Sequence, residues 1–383
     1  MANIVFNRDD IEALLAGLLI YGTGGGGAAS RGRELMSMDL FMGRKLEIID
    51  VESIEDDCFV CSGGNMGSVK ATHSIDYNIQ VKQWEDNFPL LHAFSMTEKF
   101  HHRKLDYLVP FELGGGNTPI ILSVAARKGI PVLDADLVGR AAPETQMAAP
   151  IGHGISLYPM CLVDDSGNSF IIVDSEMPTY ADEVGRMLIG KAGRCGGNTH
   201  YAMSGLQAKQ NVIKGSVSKA FELGKLVLAA SKKKRDGVAV VKGFTGASEL
   251  FRGRIVRFSA YEKGGFYLTE AALEGMEAFQ GRTCKMIIKN ELMLLYVDNT
   301  LRMMFPDYGF MVYPETGLGV PSAELSEGLD IVLLGAPCHP LVRDCMHDET
   351  GFKSFGPARY GYPDMPYTPI EELARQTNIK DND

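Results

Sequence analysis

The sequence predicts an α/β protein: an N-terminal three-layer α/β/α domain with a mostly parallel sheet, followed by a C-terminal β-barrel-like domain. Three observations carry this. Strand-like and helical runs alternate through the first half, and one strand–loop–helix–strand unit has the form that builds a parallel sheet through a right-handed crossover. After Lys232-Lys233-Lys234-Arg235 the pattern changes to short strand-like runs separated by turn residues. Glycine clusters fall where strands end, the edge at which such sheets gather ligands. At 383 residues the chain exceeds the usual single domain. It divides into an α/β domain over 1–235, a barrel-like domain over 236–340 and a segment over 341–383 that wraps back.

The elements follow in order. Asn7 suits an N-cap, with Asp9 and Asp10 in the first turn and Ile11, Leu14, Leu15, Leu18 and Leu19 at helical spacing. Thr23-Gly24-Gly25-Gly26-Gly27-Ala28 ends that helix before another begins. Strands are predicted at 46–51 and 58–61, the second running into a Ser62-Gly63-Gly64-Asn65 loop. Tyr107 to Phe111 reads as a strand ending at Glu112 and Gly114-Gly115-Gly116-Asn117; a helix with Gly129 at its end leads to Ile130-Pro131-Val132-Leu133 and Asp134-Ala135-Asp136. A hairpin turns at 165–168, and helices are predicted near 180–191 and 217–230 with Gly196-Gly197-Asn198 between them. Strand-like runs follow at 238–241, 253–260, 265–269, 285–289, 292–297, 309–312 and 331–334. The prolines at 357, 363, 366 and 369 argue against a helix before Glu371.

Composition narrows the function. The chain is 45% hydrophobic and 22% charged, enough to fill a sizeable core, and its net charge of −10 with one short basic run argues against a nucleic-acid partner. No apolar run approaches a membrane span, and no signal-peptide pattern opens the chain, so a membrane role is not expected. Seven scattered cysteines point to reduced thiols and a cytoplasmic setting. A homo-oligomer is expected only because most soluble enzymes form one.

The candidate chemistry lies at the strand ends. Glu112, Asp134 and Asp136 follow apolar strands, where a carboxylate facing a dry cleft can act as general acid or base. Arg140 and Glu144 succeed Asp136 at four-residue steps, which allows ion pairing; the other reading is a structural pair that fixes the loop. Gly24, Gly25, Gly26, Gly27, Gly64, Asn65, Gly114, Gly115 and Asn117 are the candidate ligand-binding residues. Glycine amides can approach a bound group, and Asn117 offers both a donor and an acceptor to an amide or imide, or caps its helix. The Gly24–Gly27 run equally suits a tight helix–helix turn. Cys338-His339, Cys345 and His347-Asp348 match no common zinc spacing, and no metal or cofactor is expected. The glycine run follows a helix rather than a strand, which weakens a dinucleotide-binding reading.

Four motifs together resemble the S-methyl-thiohydantoin desulfurase-like family, whose members accompany hydantoinase and oxoprolinase-type proteins. They are Tyr21-Gly22-Thr23-Gly24-Gly25-Gly26-Gly27, Glu112-Leu113-Gly114-Gly115-Gly116-Asn117, Pro131-Val132-Leu133-Asp134-Ala135-Asp136 with Gly139-Arg140-Ala141 and Pro143-Glu144, and Phe355-Gly356-Pro357-Ala358-Arg359-Tyr360-Gly361-Tyr362. The resemblance implies the same two-domain fold and a hydrolase acting on a hydantoin-like cyclic amide or thioether. Asp134 or Asp136 would then be the base and Glu112 the acid. A hydantoinase-type protein is the implied partner. The family's Glu-Lys pair after the second glycine loop is replaced here by Ser68-Val69-Lys70-Ala71, and the nearest such pair is Glu98-Lys99. Two other readings compete: a non-catalytic small-ligand-binding partner, and a transferase gripping phosphate at the Gly24–Gly27 loop.

Overall fold

The structure, a computed structural model, describes residues 3–67, 75–192 and 195–380. An eight-stranded sheet organises the first part. Its strands are β1 (Ile4–Phe6), β2 (Leu46–Ile49), β3 (Phe59–Gly67), β4 (Tyr107–Pro110), β5 (Val132–Leu133), β7 (Met160–Asp164), β8 (Ser169–Ile172) and β9 (Cys195–Ser204), in the order β1-β2-β5-β4-β3-β9-β7-β8. The block β2-β5-β4-β3 is parallel, and antiparallel strands flank it on both sides. Two short strands outside this sheet, β6 (Ala135–Asp136) and β10 (Ile213–Lys214), pair with each other.

Strand alternation sends Ile48, Cys61, Leu108 and Val132 to one core and Ile49, Val60, Val109 and Leu133 to the other. The first face is covered by α1 (Ile11–Tyr21), α2 (Ala29–Phe41), α3 (Tyr77–Gln83), α4 (Pro89–His101) and α5 (Asn117–Lys128), the second by α6 (Tyr180–Ala192) and α7 (Gly205–Asn211). Three layers result. The Asn7 cap is present: its side chain accepts the Asp9 N–H at 2.8 Å, while the Asp10 carboxylate accepts the Asn7 N–H at 3.0 Å. Helix α8 (Ser216–Lys232) packs against α1, and together they meet the second domain through Ile20, Leu223 and Val227.

That second domain is a curled antiparallel sheet. It contains β11 (Ser248–Lys263), β12 (Phe266–Gly275), β13 (Thr283–Lys289), β14 (Glu291–Val297), β15 (Thr300–Met304), β16 (Tyr308–Val312) and β17 (Asp330–Ala336), ordered β15-β14-β13-β12-β11-β17-β16. The edge strands β15 and β16 come close to each other, so the sheet forms a half-barrel around Phe251, Met286, Leu295 and Leu333. Of the C-terminal residues, α10 (Pro340–Cys345) and α11 (Glu349–Phe355) return to the first domain at Ala149–His153, while α12 (Ile370–Lys380) inserts Ile370 into the barrel core.

Three expectations are corrected. The Gly63-Gly64-Asn65 stretch is not a loop but the second half of β3, and Gly196-Gly197-Asn198 lies within β9, its partner. Gly63 and Gly197 serve close packing: a Cβ on Gly63 would lie 2.6 Å from the Asn198 carbonyl oxygen, and one on Gly197 would lie 2.4 Å from Leu90 Cα. The apolar run 238–241 is helical, within α9 (Gly237–Thr245), whose cap Asp236 accepts the Ala239 N–H at 2.9 Å. Four apolar residues fit a buried strand or a buried helical turn equally well; the capping aspartate decides. Among the described residues no helix is long and apolar enough to cross a membrane.

Candidate active site

The site begins where α1 stops. Gly26 sits in the left-handed region at φ 76°, and a Cβ there would lie 2.4 Å from Gly114 Cα. Its carbonyl accepts the N–H groups of Gly116 and Asn117, both at 3.0 Å. The first and third glycine clusters are therefore clamped backbone to backbone, which only residues without side chains permit. On the opposite side the Thr23 carbonyl accepts the Leu292 N–H at 3.1 Å and the Gly24 carbonyl accepts the Ser322 N–H at 2.7 Å. The loop is thus seated between the two domains.

This seating brings three carboxyl groups, those of Glu112, Glu144 and Glu291, to one cavity of about 80 Å³. Glu112 follows β4; its Oε1 accepts from Asn117 Nδ2 at 2.6 Å and its Oε2 from the Ala142 N–H at 2.7 Å. Asn117 therefore orients Glu112, and its helix is entered from Gly116 without a side-chain cap. Burial pushes the Glu112 carboxyl up to about 7. Glu291 opens β14, from the other domain, and is also buried. Burial first and the Glu112 charge second raise its carboxyl well above the usual range, with Arg140 and the Gly26 amide acting in the opposite sense. Burial therefore favours the protonated form of both acids.

The cavity wall carries unsatisfied polar atoms. Arg31 Nε and Nη2, Asn65 Nδ2, Asn198 Oδ1, His200 Nδ1 and Glu291 Oε2 are buried without a hydrogen-bond partner among the described residues, and all six belong to cavity-lining side chains. Burial drives His200 down to about 3, so its imidazole is neutral, and its ring stands edge-on to Phe111 at 5.2 Å. Buried polar groups in folded proteins are nearly always paired, and a concentration of exceptions in one hollow calls for ordered water or a polar ligand there.

The other sequence-derived candidates divide between the cavity and its supports. Gly26, Gly27, Gly64, Asn65, Glu112, Asn117 and Glu144 line the cavity. Glu144 is held by cations: its Oε1 accepts from Lys289 Nζ at 2.6 Å and its Oε2 from Arg359 Nε at 3.1 Å. Arg140 does not pair with Asp136 or Glu144. Its guanidinium is fully buried and donates to the carbonyls of Ala141, Asp307 and Leu292 at 3.1, 2.5 and 2.9 Å and to Thr23 Oγ1 at 2.7 Å, fastening the two domains together. Asp134 and Asp136 do not face the cavity. Asp134 turns to the start of α8, accepting the Ser218 N–H at 2.8 Å. Asp136 Oδ2 accepts the N–H groups of Val138 and Gly139 at 2.9 and 2.6 Å. Both acids serve the loop geometry after β5. Gly24, Gly25, Gly114 and Gly115 stand behind the wall; a Cβ on Gly25 would lie 1.8 Å from Glu291 Oε1.

The stretch after Gly67 that holds Ser68-Val69-Lys70-Ala71 lies outside the described residues. Glu98 binds Lys104 and Lys128 at 3.0 and 2.9 Å, away from the cavity. Sequence reasoning missed Arg31, Arg186, Asn198, His200, Asn290 and Glu291 as lining residues. One signal for Glu291 was present: Lys289-Asn290-Glu291 breaks an otherwise apolar stretch between Ile287 and Leu295, a pattern that a plain hairpin turn produces equally well.

A two-domain protein with an α/β layer, a half-barrel and a polar cavity walled by both defines the class. The chain belongs to the S-Me-THD-like (S-methyl-thiohydantoin desulfurase-like) family: residues 9–174 match its N-terminal domain and residues 176–370 its C-terminal domain. Among solved structures, a protein from Chromobacterium violaceum is similar in fold, with 22% identity, a TM-score of 0.73, and coverage of 96% of this chain and 100% of that one. No curated protein matches the chain.

Proposed function

We propose that the protein is a hydrolase acting on a hydantoin-like ring, with Glu112 and Glu291 as the acid–base pair in place of the aspartates expected from the sequence. The observation that carries this reading is the coincidence of two buried carboxyls with unpartnered amide, imidazole and guanidinium atoms in one hollow. A ring with alternating N–H and C=O groups answers the donor of Asn65 and the acceptor of Asn198, while His200 Nδ1 serves as either. For an S-methyl-thiohydantoin, water loses one proton to the ionised carboxylate as its oxygen bonds to the ring carbon bearing sulfur. The protonated partner gives its proton to the adjacent ring nitrogen. Collapse then breaks the C–S bond, returns the hydroxyl proton to the second carboxylate, and releases the first proton with sulfur as methanethiol. The product is a hydantoin and the carboxyl pair is restored.

The test is thiol release from a panel of 2-methylthio hydantoins, followed with a colorimetric thiol reagent. Release that depends on Glu112 and Glu291 supports the reading. Absence of release across the panel, with no thermal stabilisation by any member, removes it.

A further inference from the structure

A second hollow lies between the domains and shares no lining residue with the first. It measures about 190 Å³ and is walled by the end of α1, the start of α8, the first residues of β16 and the turn from β17 into α10. A cavity of about 150 Å³ holds one benzene ring, so this one has room for a ring with a small substituent. Its aromatic wall is fixed: Tyr308 and Phe310 stack at 5.1 Å, and Tyr21 stands edge-on to them at 5.9 and 5.8 Å. The two phenol hydroxyls have no hydrogen-bond partner among the described residues.

The other polar groups of this hollow are mainly donors. Helix α8 starts at Gly215 without a side-chain cap, and Asp134 takes the Ser218 N–H of its first turn. Ser216 is 5% exposed and lines the hollow; its Oγ comes near the Asp136 carboxyl, yet forms no hydrogen bond of acceptable geometry. Lys219 lies three residues on, along the same face, and pairs with no acid among the described residues. His339 Nδ1 accepts the Leu341 N–H at 3.3 Å, which leaves the ring proton on Nε2. Asp136 itself stands behind Gly139 with Oδ1 unpartnered, and burial pushes it up to about 7, so below that pH it brings a proton rather than a charge.

Hydroxyls, an uncapped helix start and an ammonium beside an aromatic wall suit an anion with a flat apolar body. We propose that this hollow is a second binding site, for a small aromatic carboxylate whose ring lies against Tyr308 and Phe310 and whose charge meets Ser216 and Lys219. Its occupancy does not depend on what the first cavity takes. Leu113 and Gly139 line it as direct chain neighbours of Glu112 and Arg140, so an occupant touches the segments that carry the first cavity's acid and the domain clamp.

Calorimetry on the full-length protein at about pH 6.5, below the value for Asp136, compares benzoate, uncharged benzamide and inorganic phosphate. Benzoate should bind roughly fivefold or more tightly than benzamide, and phosphate more weakly than either. Lys219→Met should abolish the preference for the anion and Ser216→Ala should weaken benzoate, with circular dichroism checking the fold. A crystal structure with 4-bromobenzoate should place the ring, marked by its anomalous bromine signal, between Tyr308 and α8. No benzoate binding, equal affinity for benzamide, or phosphate binding as tightly as benzoate overturns the inference without any variant. A bromine signal elsewhere, benzoate binding lost in folded Arg31→Met, or a preference that survives in both folded Lys219→Met and Ser216→Ala removes the anion from this hollow and overturns it as well.

Discussion

Glu112 and Glu291 line one cavity although one follows a strand of the first sheet and the other opens a strand of the second, and burial first, with the Glu112 charge second, raises the Glu291 carboxyl. Replacing either by Gln keeps the volume and removes an ionisable group. We predict a fall in kcat of about a hundredfold or more for each variant. The melting temperature should hold or rise in Glu291→Gln, where burial already disfavours the charged form, and fall in Glu112→Gln, whose amide NH2 must face either Asn117 Nδ2 or the Ala142 N–H. A supporting carboxylate would show unchanged turnover with reduced stability.

The pH dependence follows from the same pair. Glu112 is raised from 4.5 to about 7, so between these values the folded protein binds more protons than the unfolded chain. Stability contributed by this group is therefore greatest below pH 4.5 and is lost as pH climbs to about 7. Denaturant titrations across this window should show a shallower decline for Glu112→Gln than for the unmodified protein. Turnover, which needs one proton on the pair, should fall on the alkaline side with an apparent value belonging to both acids.

Asp134 and Glu144 should respond through stability. Asp134→Asn weakens the acceptor for the Ser218 N–H at the start of α8, and a loss of about 1 kcal/mol is expected with kcat nearly unchanged. Glu144→Gln removes the charge that Lys289 and Arg359 share, at a cost of about 3 kcal/mol. Chemical denaturation of the two variants checks the order. Equal costs would contradict the network described for Glu144.

Two glycines separate packing from space. Gly26→Ala meets the Gly114 backbone at a positive φ, and we expect a loss of at least ~2 kcal/mol. At Gly64 a Cβ has nothing within 4 Å, although the residue lines the cavity. Gly64→Ala should fold with stability within about 0.5 kcal/mol of the parent. It should raise KM for a bound ring, because the methyl group takes up cavity volume.

Much of this architecture was legible in the sequence, for physical reasons that can be named. The unit from Tyr107 to Leu133 forms because its apolar runs have strand and helix lengths and its turns carry glycine and asparagine. Glu112 was singled out because an acid after an apolar strand is unusual, and its side chain lines the cavity. Asp134 was singled out by the same rule and lies away from the cavity: the rule fixes the end of a strand, whereas the direction of the side chain depends on α8, more than eighty residues later. Gly63 was read as part of a loop, but a glycine also permits close approach within a sheet, and only the packed Phe94 and the Asn198 carbonyl distinguish the two uses. Glu291 and His200 were hidden because nothing local separates a buried polar residue awaiting a ligand from one at an ordinary strand end.

The division of the acid pair between the two sheets has a consequence during synthesis. A ribosome that has released only the first sheet has made a chain that owns Glu112 but still lacks its counterpart, which is encoded some 180 positions downstream. On the proposed chemistry such a nascent fragment would be mute, and competence would arrive only when the late-made half docks onto the early one.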